Sequence, residues 1–512
     1  MKEIRQLIKI IKKKGQRSIQ LVNQNFRKNE TSKDNLLYEG ITNNSFLTDE
    51  KAAREVFGTD PGNRNYRNAK GKLKSKLFNH LYFLDYDKEE YSDYDKVKYE
   101  ALHSIHQAKV LIRENNADIA IRQLIQLTKN CKSYELNTIG VDALALLRNE
   151  YAKQGKLTPF KEADEELAKF SKLDQAIKNC ESLFYQNLVL INKSVSAQNR
   201  VLPKIPKVVA TIKSEAKKFN SNRLYILAAK LEITYYNIEQ KFKETIKVCT
   251  ELEKKYLNRP NSEISVNLNQ DEIAFAKLKS YLYLNDLKAG KAYAKKKVES
   301  QKTGSFTWVN FMEYYFLLLM KGESYEEAST LFRAVRTNKN YNTLPEPIRN
   351  RWHIYRAYLI FFNESKILRW GFNMEEFLES KPCYERDYNG YNVSTLSIQF
   401  MFLLREGNIE LIKNCVEEII KYKSAHLDKR HNYRSSIFIR MLEIIIDKEF
   451  EYEQIHEKGE NYYNKLVSMS IPSDLKQDTE VVPYQILWGT ILEILKTNKA
   501  YIHYRFYNLK AM

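Results

Sequence analysis

Glycine and proline are scarce in this chain, 15 and 10 among 512 residues, about 5% together against roughly 12% in an average protein. Tight hairpin turns depend on those two residues, so a strand-rich architecture is disfavoured and an all-α one is expected. Cysteine is sparse too. Cys131, Cys180, Cys249, Cys383 and Cys415 are scattered, odd in number and include no CxxC pair, which argues against a disulfide framework or a structural zinc site. That usage fits a reducing compartment, and a cytoplasmic location is expected. No apolar run approaches the ~18 residues a membrane span needs; the longest, residues 316–320 and 358–362, are core-sized. Near the N-terminus, Ile4, Leu7, Ile8 and Ile11 alternate with lysines and arginines, which leaves no continuous apolar region of the signal-peptide kind.

Catalytic signatures are missing as well. There is no GxSxG, HExxH, GxGxxG or kinase-like set, so a non-enzymatic protein without cofactor or metal is expected. His103 and His106 stand three apart on an expected helix, but no third ligand lies near them in sequence. His426 and His431 are five apart and do not share a helix face. Asp85 and Asp87 begin like a calcium loop, yet no glycine follows Glu89 and Glu90, and Lys96 occupies the twelfth place. Residues 85–95 read instead as a polar linker.

Positive charge and aromatic rings are abundant. Net charge is +19, with 35 tyrosines and 24 phenylalanines. Residues 1–80 hold 18 lysines and arginines against 8 aspartates and glutamates, so about half of the excess lies in under a sixth of the chain. Apolar residues at spacings of three and four predict helical hairpins near 96–130, 132–198, 203–256, 271–300, 305–337, 346–380, 393–422, 431–468 and 479–508. Residues 160–202, free of glycine and proline, place Phe160, Ala163, Leu167, Phe170, Leu173, Ile177, Cys180, Phe184, Leu188 and Ile191 on one stripe, which predicts one long helix. Three regions result: a basic helical bundle over 1–90, first hairpins with the long helix over 91–202, and hairpins of roughly repeating length over 203–512.

Residues 308–332 carry a more specific pattern. Trp308, Phe311, Met312 and Tyr315 fall at the offsets of W-x2-L-G-x2-Y, and Ala328 and Phe332 at those of A-x3-F. The segment resembles the tetratricopeptide repeat, with Phe and Met in place of Leu and Gly and a first helix about one turn longer. That resemblance implies a right-handed α-solenoid and, as function, a surface that holds a protein partner or a second copy of the chain. Trp308, Phe311, Tyr315, Ala328 and Phe332 would be its packing residues.

The stretch GTDPGNRNYRNAKGKLKSKLFNHLYFLD, residues 58–85, has a GK pair but is no phosphate-binding loop. Tyr66 stands where the first glycine belongs, and Leu73 where the hydroxyl belongs. Asp60, Pro61, Gly62 and Asn63 read as a turn and helix cap, with Gly62 free to take positive φ. On a helix over 64–84, Tyr66, Leu73, Leu77, Leu81 and Leu84 form the apolar stripe. Arg64, Arg67, Lys70, Lys72, Lys74 and Lys76 border it, a set able to neutralise phosphates along a backbone. Two functional readings follow. The first is a protein-binding scaffold or assembly protein; the alternative is a nucleic-acid-binding regulator or defence-type sensor that contacts DNA or RNA through residues 1–85.

Overall fold

The computed structural model describes residues 33–43, 45–81, 92–257, 269–363, 369, 371–379, 391–427, 432–469 and 480–497. The first 32 residues of the expected basic bundle, Leu84, most of the acidic stretch, Cys383, His431 and the aromatic C-terminus at 501–512 lie outside the described residues. Among the described residues every regular element is a helix and there is no strand. None of these helices is long and apolar enough to cross a membrane.

The first three helices are α1 (Lys33–Thr42), α2 (Asp49–Phe57) and α3 (Arg64–His80). Thr48 caps α2 by accepting the Lys51 N–H, and Asn63 caps α3 by accepting the Asn65 N–H at 2.8 Å. Positive φ falls on Gly58, which closes α2 in the left-handed region. Gly62 does not take it, because the Asp60 carboxylate accepts the Gly62 N–H and holds the turn without it. Leu37, Ala52, Ala53, Tyr66 and Leu73 form a small core here. The α3 stripe is shorter than expected: Tyr66 and Leu73 are buried, whereas Leu77 and Leu81 are 42% and 53% exposed. Neither α1 nor α2 extends a core over the last turns of α3.

Next come α4 (Asp93–Arg113), α5 (Ala117–Ser133), α6 (Asn137–Lys153), α7 (Leu157–Lys193), α8 (Val195–Val201), α9 (Ile205–Phe219), α10 (Asn222–Ile238) and α11 (Phe242–Leu252). The long helix ends earlier than its composition suggests. Ser194 turns out of it and caps α8 by accepting the Ala197 N–H, local side-chain chemistry that competes with helix continuation. The hairpin expected at 203–256 is three helices, because Asn220 takes positive φ and breaks the run after α9.

The remaining helices are α12 (Gln270–Leu284), α13 (Leu287–Glu299), α14 (Phe306–Lys321), α15 (Tyr325–Arg336), α16 (Glu346–Asn363), α17 (Met374–Glu379), α18 (Asn392–Glu406), α19 (Ile409–His426), α20 (Tyr433–Asp447), α21 (Tyr452–Ser468) and α22 (Tyr484–Thr497). By contacts the described residues divide into two compact units: those up to Cys180 with Phe219–Arg223, and the rest.

One turn recurs between helices. Asn115, Glu135, Gly155, Gln240, Asn285, Glu323, Gly407 and Glu449 all take positive φ. In each case the next residue donates its N–H to the carbonyl five positions back, as in Asn116 to Leu111, Leu136 to Cys131, Ser324 to Leu319 and Asn408 to Leu403. This is the Schellman closure, which satisfies carbonyls that a helix end leaves open. Small residues follow in the first turn of the next helix: Ala120, Gly140, Thr245, Gly290 and Ala328. A Cβ on Gly140 would stand 2.5 Å from the Phe170 ring, and one on Gly290 would stand 2.8 Å from Leu318. The two helices approach closely because nothing larger stands there.

In the second unit the core is continuous from α12 to α22, and aromatic pairs join alternate helices. Phe275 stacks on Phe311 at 4.2 Å, Phe316 on Tyr355 at 4.7 Å, and Phe438 on Tyr484 at 4.4 Å, while Phe361 meets Phe402 edge-on at 5.2 Å. These links run α12 to α14, α14 to α16, α16 to α18 and α20 to α22. The abundance of Tyr and Phe has its use here, since rings span a helix-to-helix gap that short side chains leave open.

Candidate functional site

The basic residues of α3 divide into two groups. Arg64, Arg67 and Lys72 are exposed and form no ion pair with any described residue. Lys70 is engaged: its ammonium donates to both oxygens of Asp49 at 2.7 Å, and the Tyr66 hydroxyl donates to the same carboxylate. Hydrogen bonds from Lys70 and then Tyr66 hold the Asp49 carboxyl below its ordinary range. Lys74 leans over the Phe78 ring at 5.7 Å, and Lys76 is half-buried. An approaching polyanion therefore meets Arg64, Arg67 and Lys72 first, whereas Lys70 would have to leave a carboxylate to take part.

The residues that carry the repeat resemblance are packed together in the second unit. Trp308, Phe311, Ala328 and Phe332 are buried and Tyr315 is half-buried. Ser305 caps α14 through the Trp308 N–H, Phe311 stacks on Phe275, and Phe332 lies 6.1 Å from the Trp352 ring. Their roles are steric: Ala328 follows a Schellman turn, where a small side chain lets α15 approach α14.

Sequence reasoning missed the charged groups inside that unit. The Glu313 carboxylate accepts from Arg351 through Nε at 2.5 Å and Nη2 at 2.9 Å, and from the Tyr355 hydroxyl at 2.7 Å. The Tyr391 hydroxyl lies 2.5 Å from that of Tyr355. Burial disfavours the Arg351 charge, but the Glu313 carboxylate outweighs it and raises the pKa; burial drives Tyr355 well above its ordinary value. A second pair is buried more deeply. Arg434 donates to Glu480 at 2.6 and 3.1 Å, to the Leu466 and Met469 carbonyls, and to Gln485, so its fork is fully occupied. A third is Lys277, 2.6 Å from Glu253, which also accepts the Tyr293 hydroxyl.

Lys321 differs from all of these. It is 6% exposed at the C-terminal end of α14, with the Tyr283 ring 6.0 Å away and no ion pair to a described residue. Burial lowers its pKa to about 8; Glu480 acts to raise it and Arg434 to lower it further. Glu313 interrupts the apolar run WVNFMEYYFLLLM and Lys321 ends it. A charged residue in such a run is the signal that would have found these two; Arg351, Arg434, Glu480 and Glu253 stand beside polar residues and carry no such signal.

Three of the thiols are poor nucleophiles. Burial pushes Cys131, Cys249 and Cys415 up to about 12, far from the thiolate that reactivity requires. His103 and His106 are exposed on α4, and no group of three or more metal-ligating side chains is placed to hold an ion among the described residues. Comparison with protein-family models, curated proteins and solved structures yields no match.

Proposed function

We propose that the chain is a non-enzymatic scaffold whose helical hairpins stack as a tetratricopeptide-like, right-handed α-solenoid and hold a protein partner, or a second copy of the chain, along their surface. The observation that carries this reading is the recurrent Schellman turn, present eight times among the described residues, with small residues after most of its copies. A unit closed in the same way again and again suits a repeat array, where each hairpin buries its apolar face only against its neighbours. The aromatic links between alternate helices support the same stacking. Affinity capture from the source cell with the full chain, followed by reconstitution from purified components, tests it. A captured protein that rebinds with Kd below about 10 μM, a free energy near −7 kcal/mol, or a stable mass in multiples of 60.6 kDa by light scattering, is the expected result. A monomer for which no captured protein reconstitutes sinks the reading.

A second reading is favoured by Arg64, Arg67 and Lys72, exposed and without ion pairs among the described residues: a nucleic-acid contact through the basic N-terminal region. Three neutralised phosphates would give a fall in duplex affinity of roughly 40-fold between 50 and 200 mM salt. Fluorescence anisotropy measures it. Changing all three residues to glutamate should abolish binding; affinity that ignores both salt and those changes refutes this second reading.

A further inference from the structure

The last turns of α7 carry a face that plays no part in the features above. Phe184, Asn187 and Ile191 turn inward there and are buried. On the opposite side Tyr185, Val189 and Leu190 are 58%, 64% and 40% exposed, with Ser182 and Gln186 exposed among them. At 3.6 residues per turn these five side chains fall within about 140° of arc, so they form one stripe. Three neighbouring large apolar groups left in water mark a surface that a partner covers.

Two properties of the stripe select that partner. The first is its lack of charge: residues 182–192 hold no lysine, arginine, aspartate or glutamate, although 29% of the chain is charged. A foreign partner of a chain with net charge +19 gains most by setting acids against its cations, and this stripe offers none. Two copies of the chain repel each other through their net charge, and an uncharged face is where they can touch. The second property is self-complementarity. Gln186 Nε2 donates to the Ser182 hydroxyl oxygen at 3.0 Å, which leaves the Gln186 carbonyl to accept and the Ser182 hydroxyl to donate; the same pair on a second copy supplies the matching groups.

We propose that Ser182, Tyr185, Gln186, Val189 and Leu190 of α7 form a two-fold contact between two copies of the chain. This deepens the scaffold reading and rests on its self-association branch. With the helices antiparallel and the axis at the level of residue 187, Tyr185 of each copy lies over Val189 of the other, and the two Gln186 amides meet near the axis. Antiparallel packing also sets the helix dipoles in opposition. Five side chains per copy make a contact well below the standard size, so the association is weak, with Kd on the order of 10–100 μM. Salt screens the repulsion between the copies and leaves the apolar contact in place, so association tightens as salt rises.

The test is sedimentation equilibrium of the full chain up to about 100 μM, at about 50 and 300 mM salt. The mass is expected to climb from 60.6 kDa toward twice that value with concentration, and to do so at lower concentration in the higher salt. V189E puts a charge into the contact and should weaken association at least about tenfold, with the melting temperature unchanged because the side chain is exposed in the single chain. If V189E does not melt cooperatively, Q186C is the second probe: under mild oxidation it should give a disulfide-linked dimer, whereas the parent and L157C, exposed at the other end of α7, should not. A chain that stays monomeric at 100 μM in both salts overturns the proposal. If that monomer still rebinds a captured protein, the scaffold reading stands and only the α7 contact falls. Association that weakens with salt, or that survives V189E without Q186C cross-linking, also overturns it, because the copies then meet through ion pairs or another face.

Discussion

The three helices α1 to α3 and the core spanning α12 to α22 handle charge in opposite ways. In the first region the core is five buried residues, and every cation of α3 keeps its head at or near the surface. In the second, three carboxylate-cation pairs and an isolated lysine lie inside an extended apolar core. A small core cannot meet the desolvation cost of an ion, so its charges stay in water, where they are available to a partner but add little to stability. A large core can enclose ions at little cost when each is fully paired, as Arg434 is, and then the penalty for disturbing one is severe; Lys321, enclosed without an ion pair to a described residue, carries the cost itself. Charge in the first region is a matter of binding, and in the second a matter of stability.

The largest effect should come from breaking a buried pair. R434A strands the Glu480 carboxylate among apolar side chains and should cost about 3–5 kcal/mol in urea denaturation. R434M combined with E480L should recover much of that, because an apolar pair needs no solvation. A double variant as unstable as the single one would show that the pair, and not its burial, carries the stability. Lys321 is the converse case, a cation whose removal should help. Its folded pKa of about 8 lies below the unfolded value near 10.5, so between those pH values the folded state binds fewer protons and stability rises with pH. Below pH 8 the full penalty is present, about 3 kcal/mol. K321M should therefore be more stable than the parent at pH 7 by up to about that amount, with the advantage fading as pH approaches 10.5. A constant advantage across the range would mean that packing, not charge, separates the two.

The helical architecture was legible in the residues; the handling of charge inside the core was not, and for a physical reason. Scarce glycine and proline with three-four periodicity pointed to helices, and the described residues contain no strand. Asn63 was readable as a cap because capping is local chemistry. The short α3 stripe was not, since the periodicity that put Leu77 and Leu81 on one face with Leu73 says nothing about whether another helix covers them. The recurrent turn escaped notice because its left-handed position is filled by Asn, Glu, Gln or Gly in different copies; its constancy lies in backbone geometry, not in residue type. The Arg351–Glu313 and Arg434–Glu480 pairs join residues 38 and 46 positions apart, a distance over which helical periodicity carries no information.

One substitution should change sign between the regions. On α3, Gly71 has nothing within 4 Å of an added Cβ, whereas on α13 the same atom at Gly290 would stand 2.8 Å from Leu318 and 3.1 Å from the Tyr281 Cβ. G71A should stabilise by about 0.5–1 kcal/mol, the entropy that glycine costs within a helix. G290A should destabilise by about 1–2 kcal/mol, because overpacking exceeds that gain where the Tyr281 backbone must yield. Thermal melts of the two variants decide it, and a common sign would remove the close helix approach as the reason for small residues after these turns.

The smallest effect is expected where an ion pair looks strongest by distance. Lys70 meets Asp49 at 2.7 Å, close to the 2.6 Å of Arg434 and Glu480, yet its side chain is 53% exposed against 3% for Arg434. Water screens the exposed pair and rewards neither partner for leaving it, so K70A should cost only about 0.2–1 kcal/mol. The carboxylate it releases would still accept the Tyr66 hydroxyl, so nothing is left stranded. The net charge of α3 nevertheless falls by one beside Arg64, Arg67 and Lys72. If that surface binds nucleic acid, K70A should weaken binding far less than R64A or R67A, since Lys70 already has a partner to give up. Equal losses from all three would mean that the field of the whole helix attracts the ligand, and that the pairing with Asp49 yields to it.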